Sequence, residues 1–401
     1  MERPYPKLTI TEKGERALRA GHPWVYGAEV TAVAGQPENG GIVDVYSQKE
    51  RWLGAGFYND RSKIRVRILS GNTNDRFDRS YWQRKLRWAV EYRRTVMGAD
   101  FSACRLIFGE ADGFPGLTVD RFGPVLVAQV LCLGTDRIKA DLFADLVQLL
   151  RGMGEHIDVL YERSDSALRA KEGLPEVTGF FLGSGDGHTE ITENGVIYDV
   201  DYMRGQKTGF FLDQKYNRAA VARLAAGRTV LDCFTHTGAF GLNCARAGAK
   251  HVTSVDVSHA ALEQAQANAR RNALTQIDFV CADVFELLTQ AVRAGKSDYD
   301  LIILDPPAFT KSGATVKNAA AGYKDLNLRA MRLLPRGGYL ATCSCSHFMT
   351  TPLFRRMLED AAHDAHVQLR QVEQRQQSPD HPILWNVPET DYLKFFIFQV
   401  V

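Results

Sequence analysis

No run in the 401 residues is long and apolar enough to cross a bilayer. The longest nearly apolar stretch, Val125 to Leu133, is broken by Gln129 and falls well short of the ~20 residues a spanning helix needs. The N-terminus reads Met1-Glu2-Arg3-Pro4-Tyr5-Pro6, without the apolar segment of a secretory signal, so a cytoplasmic protein is expected, with no membrane partner. Cysteine pairs are missing too. The seven cysteines, at 104, 132, 233, 244, 281, 343 and 345, include no Cys-x-x-Cys, which suits neither a disulfide framework nor a structural zinc site. Reduced thiols and no metal are expected. With 34 Gly and 14 Pro spread along an ordinary globular composition, collagen-like, coiled-coil and low-complexity chains are excluded.

The length is too great for one hydrophobic core, given roughly 150 residues per domain, so two or three domains are expected. The formal net charge is only +2, but it is unevenly placed. Between Arg61 and Arg94 there are eleven Lys or Arg against three acids, Asp75, Asp78 and Glu91. Such a belt suits a phosphate-backbone partner, and equally a solvated basic helix.

From Lys7 to Leu69, short alternating runs punctuated by Gly and Asn predict a small β-barrel. The loop-forming cluster Ser70 to Asp75 ends it, and a helical period follows from Tyr81 to Val90, with Trp82 and Trp88 expected as core anchors rather than base-stacking platforms. Two strands around Phe122-Gly123-Pro124, a helix from Asp136 to about Met153 and a strand near Val159 make a small α+β domain. Within it, Gly109 to Gly116 reads as a plain turn. Glu190 to Tyr202 predicts a hairpin turning at Asn194-Gly195. Beyond it, strand and helix alternate: strands at 229–232, 252–256, 278–280, 301–305 and 339–342, helices at 239–247, 260–272 and 323–334. Continuous apolar strands in repeated β-α-β order predict a doubly wound, mostly parallel sheet, with ligands at the carboxyl ends of its strands. The expected domains are 1–72, 73–186 and 187–401.

Unusual residues gather at those strand ends. The first runs into Asp232-Cys233-Phe234-Thr235-His236-Thr237-Gly238-Ala239-Phe240-Gly241, which lacks the Gly-x-Gly-x-x-Gly of a pyrophosphate cradle. Asp256 ends the second strand, where a carboxylate can accept both hydroxyls of a ribose. Asp283 follows the third and could take an adenine amino group, although each such carboxylate could instead cap a helix. Ribose and adenine contacts without a pyrophosphate site point to S-adenosylmethionine rather than NAD.

The fourth strand ends in Asp305-Pro306-Pro307-Ala308-Phe309. The prolines stiffen the turn, and Phe309 could stack on a planar ring. The next strand ends in Thr342-Cys343-Ser344-Cys345-Ser346-His347. A lone Cys-x-Cys is a poor metal site, which leaves a nucleophile or a buried strand end. Carbon 5 of cytosine becomes nucleophilic once a thiolate adds at carbon 6, and Asp305 could hydrogen-bond or protonate N3 as charge develops. Cys345 is favoured over Cys343: the two share a face and the later one projects further past the sheet edge.

These motifs resemble those of class I S-adenosylmethionine-dependent RNA methyltransferases. Together with Gly21-His22-Pro23-Trp24-Val25-Tyr26 and Gly109 to Arg121, they resemble, over nearly the whole chain, a bacterial family of 23S ribosomal RNA cytosine-5 methyltransferases. The resemblance implies an RNA-binding PUA module, a linking α+β domain and a Rossmann-like catalytic domain, with 23S ribosomal RNA as partner and a homodimer as the common assembly. It further implies that Phe234, Thr237, Gly238, Asp256 and Asp283, with Phe210 and Gln214 from the preceding segment, hold the cofactor. Cys345 and Asp305 are then catalytic, and Pro306 and Phe309 face the base. Wider RNA cytosine-5 enzymes carry a second cysteine where this chain has Ala308, and His236 stands where an aromatic or small residue is expected. Two other functions fit parts of the pattern: methylation of an exocyclic base amine, which needs no thiol, and a non-catalytic RNA-binding assembly factor.

Overall fold

The computed structural model describes residues 3–295, 297–310 and 313–401. Contacts divide the chain into two compact units, one of residues 1–191, 200–212 and 379–390, the other of 192–199, 213–378 and 391–401.

The first unit holds two sheets. One has six strands in the order Trp24–Tyr26, Ile64–Ser70, Trp52–Tyr58, Ile42–Ser47, Lys7–Ile10, Val30–Ala34. Its alternating residues Leu8, Ile10, Val25, Val43, Val45 and Val66 meet in one core. The other has five strands, Val177–Leu182, Val159–Ser164, Val125–Val130, Leu117–Phe122 and Ala103–Phe108, packed with the helix Leu133–Gly152. The first and last of these strands were not foreseen. Between Phe108 and Leu117 the chain turns through Gly113 and Gly116, both at positive φ, as a plain turn should.

Asp78 caps the helix Arg79–Met97, accepting from the Tyr81 amide at 2.9 Å. Trp82 anchors it, buried and stacked on Phe57 with ring centroids 5.9 Å apart. Trp88 corrects the expectation: it is 56% exposed and is not a core residue. Six residues separate the two tryptophans, which sets them about a third of a turn apart on the helix, so both cannot face the core. The basic belt is also partly internal. Arg67 pairs with Glu110 and Glu172, Arg79 with Asp145, Arg84 with Asp75 and fully buried Arg93 with Asp112. Those four guanidinium groups are engaged within the protein.

A hairpin of His188–Glu193 and Val196–Asp201 leads into the second unit, turning at Asn194 and Gly195, both with positive φ as the predicted turn requires. The second unit is a seven-stranded sheet: β1 Thr229–Cys233, β2 His251–Asp256, β3 Ile277–Cys281, β4 Leu301–Leu304, β5 Tyr339–Ser344, β6 Leu369–Arg375 and β7 Lys394–Val400. The spatial order is β3-β2-β1-β4-β5-β7-β6, parallel from β3 to β5, with β7 antiparallel to both its neighbours. This is the expected doubly wound, Rossmann-like sheet, mostly parallel, with an antiparallel strand added beyond β5.

The helices are α1 Lys215–Ala222, α2 Ala239–Arg246, α3 His259–Arg271, α4 Val284–Ala294, α5 Val316–Leu333 and α6 Thr351–Ala365. β4 is apolar on both faces because both are covered. On β4, Leu301 and Ile303 join the core formed with α1 and α2, whereas Ile302 and Leu304 join that formed with α4, α5 and α6. α5 begins seven residues before its predicted start.

Candidate active site

The order of the strands reverses between β1 and β2 on one side and β4 on the other, and the carboxyl ends there bring Asp232, Asp256 and Asp305 together. The turn after β1 is strained. Phe234 and His236 take left-handed φ values of 62° and 51°, and Gly238 follows at 87°. Non-glycine residues enter this region only where their surroundings hold them there. Here the Thr235 amide donates to the Val255 carbonyl at 3.0 Å, and the His236 amide to Asp256 Oδ2 at 2.9 Å. The Ser258 amide reaches the other Asp256 oxygen at 2.9 Å, so this carboxylate is fixed by backbone on both sides. Each oxygen keeps accepting capacity for a further donor such as a hydroxyl.

Asp232 is fully buried. Its Oδ2 accepts from the Thr235 hydroxyl and from the Gly241 amide, the latter at 2.8 Å. Its Oδ1 has no hydrogen-bond partner among the described residues. Burial pushes this carboxyl up to about 7, opposed by those two hydrogen bonds and assisted by the charges of Asp305 and Asp256. Gly241 is required for packing: a Cβ there would lie 2.5 Å from Ser254 Oγ and 3.0 Å from Asp232 Oδ2.

At the end of β4, Asp305 Oδ1 accepts from Gln214 Nε2 at 3.2 Å and from the Cys343 thiol at 2.9 Å. Gln214 is itself oriented by Asn217, whose amide donates to Oε1 at 2.7 Å. The two cysteines beyond β5 differ in kind. Cys343 is sealed in the sheet, and burial, with Asp305 next to it, holds its thiol well above the ordinary range. Cys345 lies past the last residue of β5 and is half-buried, on the same face as Cys343.

Lys394, the first residue of β7, is buried beside this turn. Its amine donates to the carbonyls of Ser346 at 2.5 Å and Tyr392 at 2.8 Å. Burial lowers it to about 8, against the opposite pull of Asp391, Cys345 and Cys343. On the other side, Ser344 donates to the Tyr323 hydroxyl at 3.0 Å, and Ser346 Oγ to the Thr310 carbonyl at 3.0 Å. The Cys345 turn is thus tied down from two directions.

The second unit contains most of the sequence-predicted residues, in varied settings. The Thr237 carbonyl accepts from Asn268 at 3.3 Å, and Gly238 caps α2. Phe234 is partly buried against the core. Asp283 is exposed and caps α4, accepting from the Glu286 amide at 3.0 Å, which is the structural role open to it. Pro306 is buried; the partly exposed Phe309 ring lies 4.5 Å from Tyr323 and 5.9 Å from Phe285. Phe210 is buried in the first unit. Sequence reasoning missed Lys394, Asn217 and the buried character of Asp232. A lysine opening the apolar run Lys394-Phe395-Phe396-Ile397-Phe398 was the available signal for the first of them.

Among the described residues no group of three or more His, Cys, Asp or Glu side chains could hold a metal ion, and no helix is long and apolar enough to cross a membrane.

Residues 173–399 match the model of the S-adenosylmethionine-dependent methyltransferase family, and residues 8–71 that of a PUA-like domain. Among curated proteins, the ribosomal RNA large subunit methyltransferase I of Pseudoalteromonas atlantica is 39% identical over 398 residues, 98% of this chain and 99% of the relative. That of Shewanella amazonensis is 40% identical over the same shares, and that of Klebsiella pneumoniae 37% over 99% of both chains. A SAM-dependent methyltransferase structure from Streptococcus mutans, 24% identical, superposes with a TM-score of 0.82 over 98% of this chain and 100% of its own. A second methyltransferase structure, described as complexed with SAH, has a TM-score of 0.83 at 23% identity over the same shares. Matched end to end by relatives at this identity, the chain belongs to the ribosomal RNA large subunit methyltransferase I family, whose cofactor is S-adenosylmethionine.

Proposed function

We propose that this enzyme methylates carbon 5 of a cytosine in 23S ribosomal RNA, with Cys345 as nucleophile. The curated relatives carry the large-subunit RNA in their names. The observation that carries the cysteine assignment is the contrast between two neighbouring thiols: Cys343 is sealed and hydrogen-bonded to Asp305, whereas Cys345 lies beyond the strand, half-buried, in a turn held by Lys394.

Asp256, held on both oxygens by backbone amides, would accept the ribose hydroxyls of the cofactor. The acidic cluster suits a positive sulfonium, and the unpartnered buried oxygen of Asp232 lies within it. Phe234, Thr237, Gly238, Asp283 and Gln214 complete the assigned cofactor set within the second unit. When bound, the cofactor supplies an electrophilic methyl group.

The protein's own part is to raise the nucleophilicity of carbon 5. The Cys345 thiolate bonds to carbon 6, and the electron pair of the 5,6 double bond moves toward carbon 5 and N3. Asp305, oriented by Gln214, stabilises the developing charge by hydrogen-bonding or protonating N3. Pro306 and Phe309 are assigned to the base. After loss of the carbon-5 proton, elimination expels the thiol and restores the ring. The module boundaries 1–72, 73–186 and 187–401 accompany this proposal, the first module being the RNA-binding one.

The test is methylation of a 23S ribosomal RNA transcript with labelled cofactor, followed by mass spectrometry of the product nucleosides. The wild type and Cys343→Ala should both give 5-methylcytidine, whereas Cys345→Ala should give none. Undiminished product from Cys345→Ala removes the nucleophile assignment, and a methyl group on an exocyclic amine replaces the reaction itself.

A further inference from the structure

One stripe of the helix Arg79–Met97, buried at its first residue and open beyond it, is unusual. Residues 81, 84, 85, 88 and 92 recur at intervals of three, four, seven and eleven, and so share one face. They are Tyr, Arg, Lys, Trp and Tyr. At its N-terminal end the stripe joins the core, with Tyr81 buried beside Trp82 and Leu86, whereas Arg84, Trp88 and Tyr92 are exposed and Lys85 is half-buried. The Arg84 guanidinium carbon lies 5.6 Å from the Trp88 ring centroid and 5.4 Å from that of Tyr81, and the Lys85 amine 6.0 Å from Trp88.

The stripe continues into a second element of the same unit. The Tyr92 hydroxyl donates to the Pro379 carbonyl at 3.0 Å, where the segment 379–390 begins. Leu384 of that segment lines the same hollow as Lys85 and Trp88. Its neighbour Trp385 is 97% exposed. Nor is the segment slack. Arg93 donates to the Asp380 carbonyl at 2.9 Å, the Arg105 amide to Asp380 Oδ2 at 2.8 Å, and Asn386 to the Gly21 carbonyl at 2.5 Å. Of the five tryptophans, Trp88 and Trp385 are the exposed ones.

A solvent-facing indole flanked by two cations, with a second exposed indole on the adjoining anchored segment, suits a partner with flat aromatic faces and negative charge. The nearby acids do not oppose this, apart from the exposed Glu91: Asp112 and Glu110 are engaged by Arg93 and Arg67, and Asp75 by Arg84 at 3.3 Å. We propose that this stripe binds unpaired RNA, with bases stacked on Trp88 and Trp385 and phosphate met by Lys85. Stacking of this kind tolerates any base, because every base presents a π-face. The proposal rests on the reading of the enzyme as acting on RNA, and identifies unpaired strand as the form gripped outside the catalytic unit.

The experiment uses the full chain and a fluorescein-labelled 12-nucleotide single-stranded RNA of mixed sequence, free or annealed to its complement, followed by anisotropy. Trp88→Ala and Trp385→Ala are each expected to weaken single-strand binding about tenfold, a typical loss for one stacked base, with duplex binding unchanged. Trp88→Phe should keep most of the affinity. Calorimetric cofactor binding equal to wild type shows that the variants are folded. Single-strand affinity unchanged in both alanine variants overturns the proposal, and so do an equal loss for duplex and single strand or a wild type with no single-strand affinity. If RNA methylation fails but tryptophan-dependent binding stands, the proposed reaction falls and this site survives; the converse result removes the site alone.

Discussion

Replacing Asp232 by Asn should change how the protein's stability depends on pH. The carboxyl is fully buried and pushed up to about 7 from an ordinary value of 3.8. Between those values the unfolded chain has lost the proton while the folded one keeps it, so stability is fully present below about 4 and falls as pH rises through 7. A shift of about three units corresponds to roughly 4 kcal/mol lost across that window. The asparagine keeps an acceptor for the Thr235 hydroxyl and the Gly241 amide but cannot ionise. Urea unfolding of the full chain from pH 4 to 8, read by hydrogen exchange at β1 amides, measures the difference between the two proteins. Near pH 4 they should lie within about 1 kcal/mol of each other. By pH 8 the asparagine variant should be the more stable by up to about 4 kcal/mol. A difference that stays flat over the whole range would refute the burial argument, because it would mean that the carboxyl ionises as readily in the fold as in water.

Three further outcomes follow from packing and charge. Gly241→Ala forces a methyl group to 2.5 Å from Ser254 Oγ and should cost about 1–3 kcal/mol in urea unfolding, with weakened cofactor binding through the displaced Asp232. Arg93→Leu leaves Asp112 without its bidentate partner, and should destabilise the first unit by about 3–5 kcal/mol, visible as a lower urea midpoint for its amides. Lys394→Met removes the one amine that holds both the Ser346 and Tyr392 carbonyls, and with it a cation near Cys345; iodoacetamide should then alkylate Cys345 more slowly at pH 7, with partial recovery in Lys394→Arg.

The alternating β-α text from 229 to 342 was legible because strands covered on both faces are continuously apolar, as Leu301-Ile302-Ile303-Leu304 is. Helix ends were less so. The opening turns of α5, Val316 to Gly322, offer only Val316 and small alanines to the core, so the large apolar side chains start only at Tyr323. α4 was hidden by a double meaning: Asp283 serves as its cap, and the same carboxylate at a strand end was read as a ligand. Aromatic content alone does not place Trp88: the angle that six helical residues impose turns it away from the core that holds Trp82. At the candidate site, the aspartates and both cysteines could be named from spacing. Which thiol is sealed could not, since that depends on Gln214 and Lys394, 131 residues before and 49 residues after Cys345 in the chain.

The interleaved path of the chain bears on its synthesis. Residues 379–390 belong to the first unit although the whole sheet from β1 to β6 precedes them. Until they leave the ribosome, the Arg93 guanidinium lacks the Asp380 carbonyl, and the Arg105 amide lacks its carboxylate acceptor. At ~5–20 residues per second, the 287 residues from Arg93 to Asp380 take roughly 15–60 s to translate before this bond can form. The first unit must therefore wait, incompletely closed, until residues 379–390 are made, and a nascent chain arrested near residue 375 should be more protease-sensitive around the helix Arg79–Met97 than the released protein.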